Sequence, residues 1–165
     1  MNNRKLTRIA ALILAVILVL GCADALAAGR VSRQTALKTA KKHVPSTAKL
    51  TDSEWDKEDG EWEFKFITAN RKKAYELIID GKTGRLKEIE MKALNVPKAK
   101  KYAVTKKAAK KAVLKAFKSA KDLSIRKRKD DGSRIYEVTF KTSKYRCEVK
   151  VHGETGKIIE WEKKY

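Results

Sequence analysis

The sequence predicts an α+β fold of two repeats, each with one helix packed on a four-stranded antiparallel β-meander. Three observations carry this prediction. Residues 59–90 overlay on residues 131–162 when the chain is shifted by 72 residues, short stretches alternate apolar and polar residues, and an alanine-rich stretch precedes each set. Alternation with a period of two is typical of strands that bury one face. Turns of hairpin length between these stretches favour antiparallel neighbours.

The repeat is visible in both identical and apolar positions. The apolar register is the more informative of the two, since it places the same sheet face toward a core in each copy. Phe64, Phe66, Tyr75, Leu77, Ile79, Leu86 and Ile89 overlay on Tyr136, Val138, Cys147, Val149, Val151, Ile158 and Trp161. The identical pairs are Asp59/Asp131, Gly60/Gly132, Lys72/Lys144, Glu76/Glu148, Gly81/Gly153, Thr83/Thr155, Gly84/Gly156, Glu88/Glu160 and Glu90/Glu162.

Each repeat begins with a predicted helix, over residues 32–44 and 105–121. Ser32 and Thr105 are the expected N-caps. The apolar faces consist of Ala36, Leu37, Ala40 and Val44 in the first helix, and of Ala109, Val113, Ala116, Phe117 and Ala120 in the second. Strands are predicted near 50–56, 61–68, 74–80 and 85–91, and near 122–129, 134–142, 145–152 and 157–163. A unit of about 60 residues is marginal alone, so the two copies are expected to dock.

The first residues of the chain have the composition of a secretory signal peptide. Arg4, Lys5 and Arg8 precede an apolar run over 9–20, which is too short to span a membrane, and a cleavage signature follows at 25–27. We therefore divide the chain into a signal peptide (1–27), a first repeat (31–91), a linker (92–103) and a second repeat (104–165). An alternative is lipidation of Cys22, which would anchor the protein to a membrane. Both alternatives predict export, to the periplasm or the medium.

Positive charge is concentrated in the second half of the chain. The formal net charge is +20, and residues 30–91 carry only +3 of it against +15 for residues 92–165. The segment 98–121 holds ten lysines and no acidic residue. Such a face can bind anionic lipid, lipopolysaccharide or teichoic acid, or it can simply be solvated. The candidate polyanion-binding residues are Lys106, Lys107, Lys110, Lys115 and Lys118. Nucleic acid is disfavoured as a partner because the chain carries an export signal and lacks a recognisable base-reading motif.

A glycine-rich turn occurs once in each repeat, as DGKTGRL (80–86) and HGETGKI (152–158). A phosphate-binding loop would lead from a strand into a helix, whereas strand alternation continues after both turns. The sequence therefore predicts hairpin turns, in which Asp80 accepts hydrogen bonds from the amides just beyond it and Gly84 takes a positive φ. The predicted turn residues are Asp80, Gly81, Thr83, Gly84, Gly153, Thr155 and Gly156.

These features together resemble the PepSY domain. The resemblance rests on the signal peptide, the alanine-rich helix after a Ser or Thr, and a strand that ends in D-x-x-T-G, which is Asp80 to Gly84 here. The second copy departs from the pattern by placing His152 where Asp80 stands. PepSY domains occur in propeptides of thermolysin-type metalloproteases and in small bacterial envelope proteins. The resemblance implies a cystatin-like helix on an antiparallel sheet and a non-enzymatic role, either inhibiting or chaperoning a peptidase or binding an envelope component.

The residues give little support to an enzyme or a metalloprotein. Cys147 and His152 are five positions apart on one predicted strand, so they face opposite sides of the sheet. His43 is expected near a helix end, where a cation suits the dipole. The acidic stretch 52–59 lacks glycine at the sixth position of a calcium loop, which is Lys57 here. We therefore assign no catalytic residue, cofactor or metal ligand, and we expect Trp55, Trp62 and Trp161 to pack in the core or on the sheet.

Two function classes remain open on the sequence alone. The first is an exported protein-binding module that presents a strand edge or hairpin to a partner such as a peptidase. The second is a cationic envelope module that binds polyanions through the second repeat. The acidic stretch 52–59 could also contact the lysines of the second repeat and so orient the two copies. The oligomeric state and the identity of the partner are left open.

Overall fold

The computed structural model describes residues 29–165, which form two helices and eight strands. The predicted signal peptide, with Cys22, lies outside the described residues. The elements are α1 (Arg33–Lys41), β1 (Lys49–Asp56), β2 (Glu61–Ile67), β3 (Lys73–Asp80), β4 (Leu86–Ala93), α2 (Lys106–Ala116), β5 (Ser124–Asp130), β6 (Ser133–Lys141), β7 (Arg146–His152) and β8 (Ile158–Lys164).

The two predicted meanders join into one eight-stranded antiparallel sheet. Its strand order is β1-β2-β3-β4-β8-β7-β6-β5, so each repeat contributes four consecutive strands and the last strands of the repeats pair with each other. The α+β class and the helix-plus-meander repeat are confirmed. The docking that the size of each repeat predicts takes the form of backbone pairing between β4 and β8.

The junction between β4 and β8 has a local pseudo-twofold axis. Glu90 pairs with Glu162, and these two residues occupy the same position in the two repeats. Met91 lies opposite Trp161, and Lys92 lies opposite Glu160. The twofold axis that exchanges the two repeats therefore passes between Glu90 and Glu162. One consequence is that β1 and β5, which are equivalent strands, form the two outer edges of the sheet.

Both helices pack on the same face of the sheet, and two apolar clusters lie beneath them. Ala36 and Ala40 of α1 cover the first cluster, and Ala109 and Val113 of α2 cover the second. Small residues on the helices let them approach the aromatic and branched residues of the strands closely. Side chains of Ile158 and Trp161 pack against both clusters, so the two cores are continuous at the junction.

The helix starts match the prediction, whereas the ends come earlier. The hydroxyl oxygens of Ser32 and Thr105 accept hydrogen bonds from the third amide beyond each, at Thr35 and Ala108 (3.2 Å in both). Residues 42–44 and 117–121 are not helical. Phe117 leaves the helix at φ −123° and packs into the second cluster as a buried cap, and Ala116 is exposed. The apolar spacing continues past each helix because residues that pack against the clusters follow it, the partly buried Val44 after α1 and the buried Phe117 and Ala120 after α2.

Candidate functional site

The two glycine-rich turns close the β3–β4 and β7–β8 hairpins. In the first turn, Asp80 Oδ1 accepts hydrogen bonds from the Thr83 amide (2.7 Å), the Thr83 hydroxyl (2.8 Å) and the Lys82 amide (3.1 Å). These bonds stabilise the ionised carboxylate, so the Thr83 amide and hydroxyl hold the pKa of Asp80 below its ordinary value. Gly84 and Gly156 both have φ of +68°, a conformation that favours glycine. The backbone amides of Lys82 and Thr83 therefore donate their hydrogen bonds within the turn itself.

Gly81 and Gly153 are required by space rather than by φ. A Cβ at Gly81 would lie 2.4 Å from the carbonyl oxygen of Gly60 and from the Trp55 ring. A Cβ at Gly153 would lie 2.6 Å from the carbonyl oxygen of Arg134. Each glycine thus lets its turn lie against the neighbouring hairpin of the same repeat.

His152 replaces Asp80 in the second turn and gains a second partner. Its Nδ1 accepts from the Thr155 amide (3.2 Å), as Asp80 does from Thr83, which leaves the proton on Nε2. That Nε2 lies 2.9 Å from the carbonyl oxygen of Pro97, to which it donates. The imidazole is 4% exposed. His152 therefore caps the turn and holds Pro97, at the start of the segment 97–103, against the second repeat.

Other contacts fix the same segment. The Glu154 carboxylate accepts from the amides of Lys100 (2.8 Å) and Lys101 (3.2 Å). The amide of Ala99 donates to the Ser133 hydroxyl at 2.9 Å. The segment after β4, which extends to Ala93, is thus an ordered part of the second repeat.

Cys147 and His152 do not form a catalytic pair. Cys147 lies in the second apolar cluster and is fully buried, and burial raises the pKa of its thiol to about 12. The His152 nitrogens are both used in the hydrogen bonds described above. His43 follows α1, and partial burial, Lys42 and Lys163 lower its pKa, so the cationic form is less favoured there than in a free imidazole.

The acidic hairpin of β1 and β2 lies at the outer end of the sheet. Two strands of the first repeat separate it from β8, so the junction of β4 and β8 orients the repeats and the acidic hairpin does not. Within the hairpin, Asp56 Oδ1 accepts from the amides of Glu58 (2.9 Å) and Asp59 (3.2 Å), a turn-capping role. In residues 29–165, no group of three or more His, Cys, Asp and Glu residues is arranged to hold a metal ion.

The predicted polyanion-binding lysines are all exposed, on or just after α2. Helical spacing of 100° per residue places Lys107, Lys111 and Lys115 opposite the buried Ala109 and Val113, with Lys110 on a flank. Lys118 follows the end of the helix. Lys111, which the sequence analysis did not select, is therefore central to this surface. The first turn of α2 contains no acidic residue, and Lys106 and Lys107 lie there, at the positive end of the helix dipole. We call Lys106, Lys107, Lys110, Lys111, Lys115 and Lys118 the α2 lysine surface.

The tryptophans serve packing, as expected. Trp62 donates from Nε1 to the Val31 carbonyl (3.1 Å), and its ring centroid lies 5.2 Å from that of Trp55. The Arg30 guanidinium lies 4.5 Å from the Trp55 centroid. Trp161 contacts Tyr75 of the first repeat and Phe117 of the second at centroid distances of 6.5 and 6.1 Å. Trp55 and Trp62 link residues 30–31 to the first repeat, and Trp161 links the two repeats to each other.

The face of the sheet opposite the helices carries a row of four glutamates. Glu76 pairs with Glu90, Glu90 with Glu162, and Glu162 with Glu148. Like charges directly opposite each other are unfavourable in a sheet. Burial, together with Glu160, Glu76 and Glu162, raises the pKa of Glu90 to about 7. We call this row, which runs across β3, β4, β8 and β7, the glutamate row.

Lysines flank the glutamate row on the same face. Lys150 Nζ lies 2.7 Å from Glu160 and 2.9 Å from Asp130. Burial acts to lower the pKa of Lys150, but these two carboxylates outweigh it and raise the pKa. Lys164 pairs with Glu162 and Glu88 at 3.0 and 3.3 Å. A cleft of about 300 Å³ opens beside this face, between residues 92–98 and the strands that carry Asp130 and Glu160.

The family is decided by a comparison with known domain families. The model for PepSY, described as the peptidase propeptide and YPEB domain, matches residues 30–90 and 103–162. The chain belongs to the PepSY family. It contains two PepSY domains, and this family is a non-catalytic, propeptide-like one. The two matched segments each contain one helix and four strands of the fold described above.

Solved structures with similarity to this chain come from three bacteria. One is described as a lipoprotein from Clostridium difficile 630, with 19% identity over 82% of this chain and 94% of that chain (TM-score 0.35). The Bacillus megaterium YpeB C-terminal domain has 16% identity over 82% and 66% (TM-score 0.30). A BLIP-like protein from Bacteroides fragilis NCTC 9343 has 15% identity over 76% and 82% (TM-score 0.32). No curated protein matches the chain.

Among the helices of residues 29–165, none combines the length and the apolar character that crossing a bilayer requires.

Proposed function

We propose that this PepSY protein is an exported, non-catalytic binding module that restrains a peptidase or another envelope protein. The observation that carries the proposal is the match of both repeats to the peptidase-propeptide domain. The signal-peptide composition of residues 1–27 supports export. A partner groove would receive an exposed edge strand or hairpin of the sheet, since unpaired backbone groups can extend a sheet into a partner.

A peptidase assay tests this proposal. The purified protein is added to exported peptidases, including a metallopeptidase of the thermolysin type, and residual activity and direct binding are measured together. We expect inhibition with a saturable dose dependence. Absence of both binding and inhibition at about 100 μM protein, which corresponds to a binding free energy weaker than about −5 kcal/mol, would overturn the peptidase proposal.

A second candidate function is binding of anionic envelope polymers through the α2 lysine surface. The position of Lys106 and Lys107 favours it, because cations in the first turn of a helix oppose the dipole and cost stability. The lysines of α1, by comparison, include Lys38 and Lys41 in its last turn, where cations are favourable. If α2 presented only a solvated surface, its lysines would not need to lie in the first turn, where the helix dipole makes a cation unfavourable.

Vesicles containing phosphatidylglycerol, and separately lipopolysaccharide and teichoic acid, are the probes for this second function. Neutralising Lys106, Lys107, Lys110 and Lys115 to Gln should reduce binding strongly and flatten its salt dependence. The matched control neutralises Lys38, Lys41, Lys42 and Lys49, which are exposed lysines of the first repeat. Equal losses in both variants would show a general charge effect and exclude a site on α2.

A further inference from the structure

The two outer edges of the sheet carry opposite charge at equivalent positions. Asp52 pairs with Lys65 and Arg126 with Glu137, and these partners are 72 residues apart, so Asp52 and Arg126 are equivalent. By the same argument Glu54 is equivalent to Arg128, since Glu63 and Ile135 are their partners. The first repeat thus has two acids where the second has two arginines.

These charged side chains are available at the edges. Arg126 and Arg128 have side chains that are 65% and 57% exposed, even though both contact Glu137. The Asp52 side chain is 47% exposed beside Lys65, and Glu54 is exposed as well. β1 and β5 are end strands of the sheet, so among residues 29–165 one side of each backbone has no strand beside it. On β5 the Arg128 carbonyl accepts a hydrogen bond from the Tyr102 hydroxyl at 2.6 Å, which a pairing strand would have to displace.

We propose that the β1 edge of one molecule pairs with the β5 edge of a second copy of this chain, giving head-to-tail association. The sheet has an even number of antiparallel strands, so β1 and β5 run in opposite directions. A second copy in the same orientation therefore places its β1 antiparallel to β5, with its helices on the same side of the extended sheet. The interface is heterologous, and repetition builds a ring or an open filament.

One register satisfies the charges on the face opposite the helices. Glu54 opposite Arg126 brings Asp52 opposite Arg128, and Asp56 then lies opposite the neutral Ser124. On the helix side, this register places the half-buried Trp55 opposite the half-buried Ile125. The irregularity of β1 between Leu50 and Asp52 lies just outside the five residues that pair. A shift of two residues in one direction would instead set Asp52 against Asp130.

This arrangement differs from the usual protection of sheet edges. Edge strands commonly carry charges that prevent pairing, and lysines are the typical choice. A single sign on both edges would repel further copies. Here the sign is reversed between the two edges, which excludes β1–β1 and β5–β5 pairing and favours β1–β5 pairing.

Sedimentation velocity over a range of protein concentrations tests the proposal on the folded protein. We expect association at low salt that weakens at about 1 M salt, where the Debye length falls to about 3 Å. The molecule as a whole is strongly positive, so screening would strengthen any association that does not depend on complementary charges. Association that grows with salt, or a protein that stays monomeric at about 1 mM and low salt, overturns the proposal.

Charge-reversed edges provide the decisive variants. R126E/R128E makes both edges acidic, and D52K/E54K makes both basic, so each variant alone should associate at least about tenfold more weakly. An equimolar mixture should associate again, because every acidic edge then finds a basic one. Failure of the mixture to associate, or unchanged association of either variant alone, contradicts the pairing.

Two controls accompany these variants. K106E/K107E changes the net charge by the same amount as R126E/R128E but lies on α2, and it should leave the association unchanged. R126Q/R128Q removes the charges without placing new acids beside Glu137, and it should also weaken association. Far-UV circular dichroism checks that each variant is folded. Equal weakening by K106E/K107E would assign the effect to net charge and overturn the edge assignment.

Discussion

At the scale of single residues, His152 shows how one substitution in a repeated motif acquires a structural purpose. Asp80 caps its turn with one oxygen, and an imidazole at the same position has two nitrogens on opposite sides of the ring. Nδ1 keeps the turn bond to Thr155, and Nε2 reaches the carbonyl oxygen of Pro97. The imidazole therefore donates a hydrogen bond that connects the second repeat to the preceding segment. An ionised carboxylate could not make this bond because it has no proton to donate.

We expect H152A to lower the free energy of unfolding by about 1–3 kcal/mol, because it leaves the Pro97 carbonyl and the Thr155 amide without their partner in a buried setting. H152N keeps an acceptor for Thr155 but is too short to reach Pro97, so it should fall between H152A and the native protein. Urea unfolding measures both. D80N, which keeps an acceptor in the exposed first turn, is the matched control and should cost less than H152A. Equal stability of H152N and the native protein would show that the Pro97 bond contributes nothing.

The raised pKa of Glu90 predicts that the folded protein becomes less stable against unfolding as pH rises. Its pKa is raised from an ordinary 4.5 to about 7 in the folded protein, so the folded state binds more protons than the unfolded state between these values. The stabilisation that the folded state gains by holding this proton is fully present below about pH 4.5 and is lost as pH rises through about 7. A shift of this size corresponds to roughly 3 kcal/mol at most. Glu148, whose pKa burial and Glu137 also raise, acts in the same direction.

E90Q should therefore be more stable than the native protein at pH 8 and nearly equal to it at pH 5. Thermal unfolding at both values measures the difference. His43, with a lowered pKa, contributes a slope of opposite sign, but it contributes equally to both proteins and cancels in the comparison. E58Q, in the exposed β1–β2 turn, is the control. A constant difference between E90Q and the native protein at the two pH values would contradict the assignment to Glu90.

At the scale of elements, the two helices differ in where they carry their charge. Both begin at a hydroxyl N-cap and bury small residues. In α2, Lys106 and Lys107 lie in the first turn and Lys115 in the last, whereas α1 has Arg33 in its first turn and Lys38 and Lys41 in its last. The dipole therefore disfavours the charge pattern of α2 more than that of α1, because α2 has more cations in its first turn and fewer in its last. The helix that bears the candidate polyanion surface is thus the one that is less stable by its own charge pattern.

K106E/K107E should separate stability from binding. We expect an increase in stability of about 0.3–1 kcal/mol for each substitution at low salt, because acidic residues suit the first turn. Binding to phosphatidylglycerol vesicles should be lost in the same variant. The reciprocal control is K38E/K41E in the last turn of α1, which should lower stability and leave vesicle binding largely intact. Retained binding in K106E/K107E would count against the α2 lysine surface.

The elements were predictable to within a few residues where the signal is local. Alternation and turn residues placed every strand, because strand faces and hairpin turns are encoded by neighbours in the chain. Helix ends were less predictable, since Phe117 continues the apolar spacing of α2 after the backbone has left the helix. The pairing of β4 with β8 had no local signal, and neither did the burial of Glu90, which depends on strands from the other repeat. The α2 lysines were visible in the sequence, but the central position of Lys111 followed from the buried face.

At the scale of the whole molecule, the β4–β8 junction makes the two repeats one cooperative unit. Ile158 and Trp161 belong to the second repeat and pack against the first apolar cluster as well as their own. Loss of either repeat would expose this shared core and leave β4 or β8 as an open edge. Because a unit of this size buries too little surface alone, we expect neither repeat to be stable without the other.

W161A tests this coupling. Trp55 and Trp62 both lie in the first repeat, so the fluorescence of the variant reports on that repeat alone. We expect its unfolding midpoint to fall, with a loss of about 3 kcal/mol or more, although the substitution lies in the second repeat. W161F, which keeps a ring at the junction, is the control and should lose less. A first repeat that unfolds at the native midpoint in W161A would show that the repeats are independent.

The pseudo-twofold axis between Glu90 and Glu162 has a consequence for what this chain can be. The same β4 edge on a single-repeat protein could pair with its own copy, but such a dimer would be concentration-dependent and its halves identical. Joining the halves in one chain makes the junction intramolecular, at an effective concentration of about millimolar, so it persists in dilution. It also removes the requirement that the halves match. One half can stay nearly neutral while the other carries almost all the net positive charge. The folded chain therefore has the architecture of a twofold-symmetric dimer but a strongly uneven distribution of charge between its halves.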